Sequence, residues 1–171
     1  VSRFLERKNL FNLIKSFSNY QKEGGNWGLK IIGSGDLHIE LKKYANKIIN
    51  KEKVEIINWL QINDLVPYYK NASGFILPSY FDNWGLVVNE AIASGLPCIV
   101  SKNCGCAVDL IKNNETGFVF NPNNNEELKI FMKKVENLTK YEQLKMVSLA
   151  RTNLNNYDLN IFSKNLKKAI V

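Results

Sequence analysis

The chain has 171 residues, 45% of them hydrophobic and 23% charged, with a formal net charge of +7. That is one domain's worth of chain, with enough apolar residues to bury a core without disulfides or metals, and it excludes disorder over most of the length. No apolar run approaches the ~18–20 residues that span a bilayer, and no secretory leader is visible, so the expectation is neither an integral membrane protein nor an exported one.

Strands and helices alternate along the chain. Ser2-Arg3-Phe4 reads as the tail of a strand whose beginning is missing, an opening that suits a fragment of something longer. From Asn9, the residues Leu10, Leu13, Ile14 and Phe17 recur at helical spacing, and Gly24-Gly25 stops that helix. Leu29-Lys30-Ile31-Ile32 is a short apolar strand closed by Gly33-Ser34-Gly35. Asp36 can cap the next helix, which buries Leu37, Leu41, Tyr44, Ala45 and Ile48. Val54–Ile57 is a strand, and residues 64–71 read as a short helix with Pro67 near its first turn. Residues 74–77 form a strand stopped by Pro78. Residues 85–94 are helical, with Gly95 at the stop and Pro97 beyond. Strands at 98–100 and 117–120 flank a short helix at 108–112, and helices follow at about 125–138, 141–154 and 158–170. The last of these places Ile161, Phe162, Leu166 and Ala169 on one face.

Short apolar strands separated by helices predict an α/β fold. The expected architecture is a Rossmann-like parallel sheet of about six strands covered by helices on both faces. Ligands of such sheets bind outside the carboxyl ends of the strands. The loops at residues 2–9, 33–36, 58–63, 78–86 and 101–107 are therefore the candidates.

Charge is unevenly spread. Residues 1–53 carry eleven Lys or Arg against five Asp or Glu, residues 54–125 three against six, and residues 126–171 nine against five. Basic ends of this kind permit contact with phosphates or an anionic membrane surface. Twenty of the 23 cations are Lys, however, which reads more simply as a solvated surface. The aromatic residues fall at core positions and do not interleave with the cations, so nucleic acid is not the expected partner. Three cysteines, Cys98, Cys104 and Cys106, have neither a disulfide framework nor metal-ligand spacing, and reduced thiols in a cytoplasmic protein are expected. The lone histidine, His38, reads as a solvated residue at a helix start.

Two loops could carry chemistry. In Gly33-Ser34-Gly35 the glycines let a ligand approach the backbone at a helix N-terminus, but a tight strand-to-helix turn explains them equally well. The G-x-G-x-x-G pattern is not completed, because Ile39 does not restore a glycine. The stretch PSYFDNWGLVVNEAIASGLP from Pro78 to Pro97 says more. It places Asp82 before a helix and Glu90 about one and a half turns into it. The free N–H groups of Gly85, Leu86 and Val87 lie between them, as a cradle for an anion or a hydroxyl. Two carboxylates beside an anion-binding helix end suit a ligand with both hydroxyls and phosphate. On spacing alone, Asp82 as a helix cap and Glu90 as a solvated helix residue are equally good readings.

This stretch resembles the signature of retaining nucleotide-sugar glycosyltransferases of family 4, also called group 1. That signature is roughly P-S-x-x-E-G-F-G-L-V-x-x-E-A-x-A-x-G-x-P. Asp82 and Glu90 stand at its two acidic positions and Trp84 at its Phe, while Gly85, Leu86, Val87, Glu90, Ala91, Gly95 and Pro97 match. Ser2-Arg3 with Lys8-Asn9 is similar to the family's G-R-x4-K-[GN] opening, Gly33-Ser34-Gly35 to its nucleotide loop, and Tyr69 to Ala72 to its Y-x-x-A. Thr116-Gly117 is similar to its N-G-x-L-V turn, and the resemblance covers roughly residues 1–169.

The resemblance implies the C-terminal, donor-binding lobe of a two-lobe GT-B enzyme. Residues 1–171 would be a single Rossmann-like nucleotide-sugar-binding lobe, with the N-terminal acceptor lobe absent from this sequence. Arg3 and Lys8 would hold the diphosphate, Glu90 the ribose hydroxyls, and Asp82 the donor sugar near its anomeric carbon. Asn83, Trp84, Gly85, Leu86 and Val87 would line the donor, with Gly33 and Gly35 in the nucleotide loop and the base near residues 58–60. The donor would be a UDP-, GDP- or ADP-sugar and the acceptor a glycan or lipid-linked sugar, with no metal needed. The absence of a D-x-D pattern agrees. The isolated lobe would bind nucleotide weakly and turn over nothing. It would be cytoplasmic, with peripheral contact at the inner face of a membrane. The alternative is a nucleotide-sugar-binding relative with an epimerase-like or regulatory role. Asp82, one methylene shorter than the usual Glu, Ser2 for Gly, Asn58 for Gly, Cys106 for the second of two glycines and Asp109 for Glu are the departures from the pattern.

Overall fold

The structure is a computed structural model, and it describes residues 1–157, 161, 163 and 168. Helices and strands alternate as α1 (Leu10–Lys22), β1 (Leu29–Ile32), α2 (His38–Ile48), β2 (Val54–Ile57), α3 (Ile62–Asn71), β3 (Phe75–Leu77), α4 (Leu86–Ala93), β4 (Cys98–Ser101), α5 (Gly105–Leu110), β5 (Phe118–Phe120), α6 (Asn125–Glu136) and α7 (Lys140–Leu154). Of the helix expected over 158–170, the face residues Phe162, Leu166 and Ala169 lie outside the described residues.

Among the described residues every strand pair is parallel, and side chains that alternate across the strands feed two cores. Ile31 and Ile99 join Leu13, Phe17 and Met132 on the face covered by α1, α2 and α6. Ile32, Cys98 and Val100 join Leu65, Val88, Leu110 and Ala150 on the face covered by α3, α4, α5 and α7. This three-layer arrangement places the loops that follow the strands at one end of the molecule.

The sheet differs from the expected six strands. Five strands form two sheets, β1-β2 and β3-β4-β5, among the described residues. Residues 2–4 do run beside the end of β1, where Ser2 N–H donates to Ile32 O at 2.9 Å and Phe4 N–H to Ser34 O at 2.7 Å. They meet only the end of that strand, too little of a ladder to count as one. A cavity of about 840 Å³ separates β1 from β3.

Three boundaries also differ. Asp36 does not cap α2, whose N-cap is Leu37 with no side-chain hydrogen bond. Helix α3 starts two residues early, so Pro67 lies inside it. Helix α5 starts at Gly105 instead of 108. No described helix is long and apolar enough to cross a membrane.

Candidate active site

The loop after β3 is held from two sides. On one side it meets the N-terminal segment, because Tyr80 N–H donates to Arg7 O at 2.8 Å. The amide of Asn9 donates to Pro78 O at 3.0 Å and to Pro122 O at 2.9 Å. Asn9 reaches both because its backbone is left-handed, with φ 57, a conformation that Asn and Gly tolerate best. On the other side it meets the loop after β4. There Gly105 N–H donates to Asp82 O at 3.0 Å, Cys106 N–H to Trp84 O at 3.1 Å, and the Asn103 amide to Tyr80 O at 2.9 Å.

Between these supports the structure brings together two of the expected site residues. The Lys8 ammonium donates to Asp82 Oδ2, and both side chains are largely buried. An ion pair this far from water is held in one geometry and is costly to break on one side only. The carboxylate of Glu90, one helix turn beyond the N-terminus of α4, accepts the Tyr69 phenol at 2.8 Å. Burial, and then the Glu90 carboxylate, push the Tyr69 phenol far above its ordinary pKa, so it stays a donor. Residues 83–87 lie next to this pair. Trp84 Nε1 donates to Asn89 Oδ1 at 3.0 Å, and its ring packs 5.6 Å from Tyr157. Gly85 caps α4 in a left-handed conformation, with φ +100. A Cβ on it would meet Leu77 Cδ2 at 2.7 Å, so no other residue fits without a shift. The backbone N–H groups of Gly85, Leu86 and Val87 donate to nothing among the described residues, as the first turn of a helix leaves them.

The remaining expected residues lie to one side. Arg3 and Gly33 line a smaller cavity of about 210 Å³ with Ser34, Trp59 and Leu60. Arg3 is exposed and forms no ion pair among the described residues. Gly33 and Gly35 also have a packing task. A Cβ would lie 1.8 Å from Ser2 O at Gly33 and 2.5 Å from Phe4 O at Gly35, so the turn is glycine-rich to admit residues 2–4. His38 is half-buried beside Phe4, with ring centres 5.4 Å apart.

Two of these contacts join residues far apart in the sequence. The Lys8–Asp82 pair joins residues 74 apart, and Tyr69–Glu90 joins residues 21 apart on different helices. Neither separation is a helical or strand period. The Y-x-x-A similarity was the one local hint at Tyr69.

The three thiols are buried and unpaired. Burial pushes Cys104 up to about 11 and Cys106 up to about 12, with the nearby Asp82 charge adding to both, so neither is a nucleophile near neutral pH. Among the described residues no three His, Cys, Asp or Glu side chains gather to hold a metal ion. Chemically, the arrangement offers Lys8, Arg3 and free amides to an anion, and two oriented carboxylates to hydroxyls.

The family model for glycosyl transferases group 1 matches residues 1–151. An uncharacterized glycosyltransferase of Haemophilus influenzae is 36% identical over 129 residues, covering 75% of this chain and 36% of that protein. The UDP-Gal:alpha-D-GlcNAc-diphosphoundecaprenol alpha-1,3-galactosyltransferase of Escherichia coli is 35% identical over 98 residues, covering 54% of this chain and 24% of that protein. The chain thus spans well under half of these relatives' own lengths. Among solved structures, the C-terminal domain of the group 1 family protein LpcC from Francisella tularensis superposes with a TM-score of 0.79 at 17% identity, over 91% of this chain and 82% of that one. HepE of Anabaena, solved with UDP-glucose, superposes with a TM-score of 0.84 at 17% identity, over 99% of this chain and 46% of that one. The fold is therefore the α/β fold of GT-B glycosyltransferase C-terminal domains.

Proposed function

Because the chain belongs to the group 1 glycosyltransferases, we propose that it is the donor-binding, C-terminal lobe of a retaining enzyme. That enzyme moves a sugar from a nucleoside-diphosphate sugar to a glycan or lipid-linked acceptor. The observation that carries this reading is the buried Lys8–Asp82 pair beside the free amides of Gly85, Leu86 and Val87. A cation, a helix N-terminus and a carboxylate converge where a diphosphate meets a sugar.

In this reading the donor diphosphate competes with Asp82 for Lys8. Once Lys8 turns to the phosphates, Asp82 is released to accept a hydroxyl of the donor sugar. Arg3 adds the second cation from the side of the smaller cavity, where the base lies against Trp59 and Leu60. Glu90, held by Tyr69, accepts the ribose hydroxyls. As the bond from the anomeric carbon to phosphate oxygen breaks, negative charge grows on the leaving diphosphate. Lys8, Arg3 and the amides of α4 are aimed at that charge and stabilise the transition state. Retention follows if the acceptor oxygen attacks on the face the diphosphate leaves. The acceptor side belongs to a second lobe. The neighbour solved with UDP-glucose and the relative named for a UDP-Gal donor and a diphosphoundecaprenol-linked acceptor support this donor and acceptor class. The chain acts in the cytoplasm, and its basic ends suit peripheral contact with an anionic membrane.

Calorimetric titration of the 171-residue chain with UDP-, GDP- and ADP-sugars tests the reading. One of the three should bind saturably, and Arg3→Ala or Glu90→Ala should remove that binding. Salt-sensitive binding to nucleic acid or anionic lipid, with none to any nucleotide sugar, would overturn it. Sugar transfer by these 171 residues alone would overturn the assignment as a half-enzyme.

A further inference from the structure

Helix α4 has only eight residues, and its first turn carries the free amides of Gly85, Leu86 and Val87. A helix this short is not stable on its own, so its direction is set by what grips it. At its C-terminus the grip is Arg151 of α7. The guanidinium donates to Ile92 O at 3.3 Å through Nε and to Ala93 O at 2.8 Å. The last carbonyls of a helix have no partner within it, so a cation that takes two of them fixes that end. Along its length Val88, Ala91 and Ile92 share a core with Ala150 of α7.

The N-terminal grip comes from the residues that follow α7. The turn Asn155–Tyr157 brings the Tyr157 ring to 5.6 Å from the Trp84 ring, tilted by 52°. Trp84 immediately precedes the Gly85 cap, and its side chain packs against the core that Ala107 and Leu110 of α5 enter. Its Nε1 donates to Asn89 Oδ1 at 3.0 Å and its carbonyl accepts Cys106 N–H at 3.1 Å. The Tyr157 phenol is placed to donate to the Asp109 carboxylate on α5. Burial, and then that carboxylate, hold the phenol above its ordinary pKa, so it keeps its proton. Helix α7 and its turn therefore hold α4 at both ends. Residues 155–157 lie beyond the 1–151 that the family model matches, so that match assigns Tyr157 no task.

We propose that Tyr157 is a positioning residue for the donor: through Trp84 it fixes the three amides that meet the diphosphate. The inference rests on the donor-lobe reading, and in it Tyr157 touches no ligand atom. Its ring keeps Trp84 against α5, and the backbone that leads into α4 stays where Trp84 is. Amides aimed at developing charge contribute by being in place beforehand, so a small displacement of that backbone is costly.

The test compares the parent chain with Tyr157→Ala, Tyr157→Phe and, as a control on the outer face of α7, Tyr141→Ala. Calorimetry measures UDP, GDP and ADP against each. Whichever the parent binds, Tyr157→Ala should bind about tenfold more weakly. Tyr157→Phe keeps the ring contact and should recover most of that loss. Tyr141→Ala should bind as the parent does. Tyr157 is 45% exposed, so the Tm of Tyr157→Ala should fall by no more than about 3 °C. In proton–nitrogen correlation spectra the indole signal of Trp84, identified by its absence in Trp84→Phe, should move in Tyr157→Ala, while those of Trp27 and Trp59 stay. Parent-like affinity in Tyr157→Ala, or weaker binding with the Trp84 signal unmoved, would overturn the inference and leave the donor reading standing. No binding of any of the three nucleotides to the parent would overturn the donor reading and the inference with it.

Discussion

The β3-β4-β5 half of the molecule ties its loops to one another, whereas the β1-β2 half leaves the loop after β2 to solvent. After β3 and β4, residues 78–86 and 101–106 are joined by backbone bonds from Gly105 to Asp82 and from Cys106 to Trp84, and the Lys8–Asp82 pair lies beneath them. After β2, Asn58 and Trp59 are exposed, and Trp59 keeps 60% of its surface in solvent. A preorganised half suits groups that must meet developing charge without rearranging. An open half suits a ligand part that gives affinity and can be fitted on arrival.

The largest effect should come from breaking the tied half. In Gly105→Ala the new Cβ would lie 2.1 Å from Asn83 O, which forces two loops apart. A stability loss of ~3 kcal/mol is expected, seen as a Tm fall of about 10 °C. Lys8→Met comes next. It strands the Asp82 carboxylate, and a loss approaching ~3 kcal/mol is expected, most of it recovered in the double variant with Asp82→Asn. Recovery in the double variant, measured by urea unfolding, separates the stranded charge from lost packing.

These two effects also show what the sequence could and could not convey. Helix α1 was legible because Leu10, Leu13, Ile14 and Phe17 repeat at the helical period and are all buried. The parallel strands were legible as short apolar runs between helices. The Lys8–Asp82 pair was not, because Lys8 and Asp82 lie 74 residues apart and no local pattern reports a contact between loops. The split sheet was missed for the same reason. Ser2-Arg3-Phe4 looks like a strand locally, but pairing depends on how much ladder its neighbours offer, and it meets only the end of β1. The start of α7 had a signal that periodicity overlooks. Thr139 and Glu142 form a capping box, which sets the first turn at Lys140.

Smaller effects sharpen the contrast between the halves. Tyr69→Phe removes one hydrogen bond to the Glu90 carboxylate and leaves the ring in place. Nucleotide affinity should fall about tenfold, the size of one lost hydrogen bond to a charged group, with no further loss when Glu90→Gln is added. Trp59→Ala should change stability by no more than ~0.5 kcal/mol, as exposed positions do, while still weakening nucleotide binding. A large Tm fall in Trp59→Ala would show that the open half is as tightly built as the other.

The central claim is that the carboxylate on α4 reads the ribose of a nucleotide donor. Calorimetry with UDP and with its 2′,3′-dideoxyribose analogue, on the parent chain and on Glu90→Gln, tests it most directly. The parent chain should prefer UDP by about tenfold, and Glu90→Gln should bind the two alike. An undiminished preference in Glu90→Gln would contradict the account.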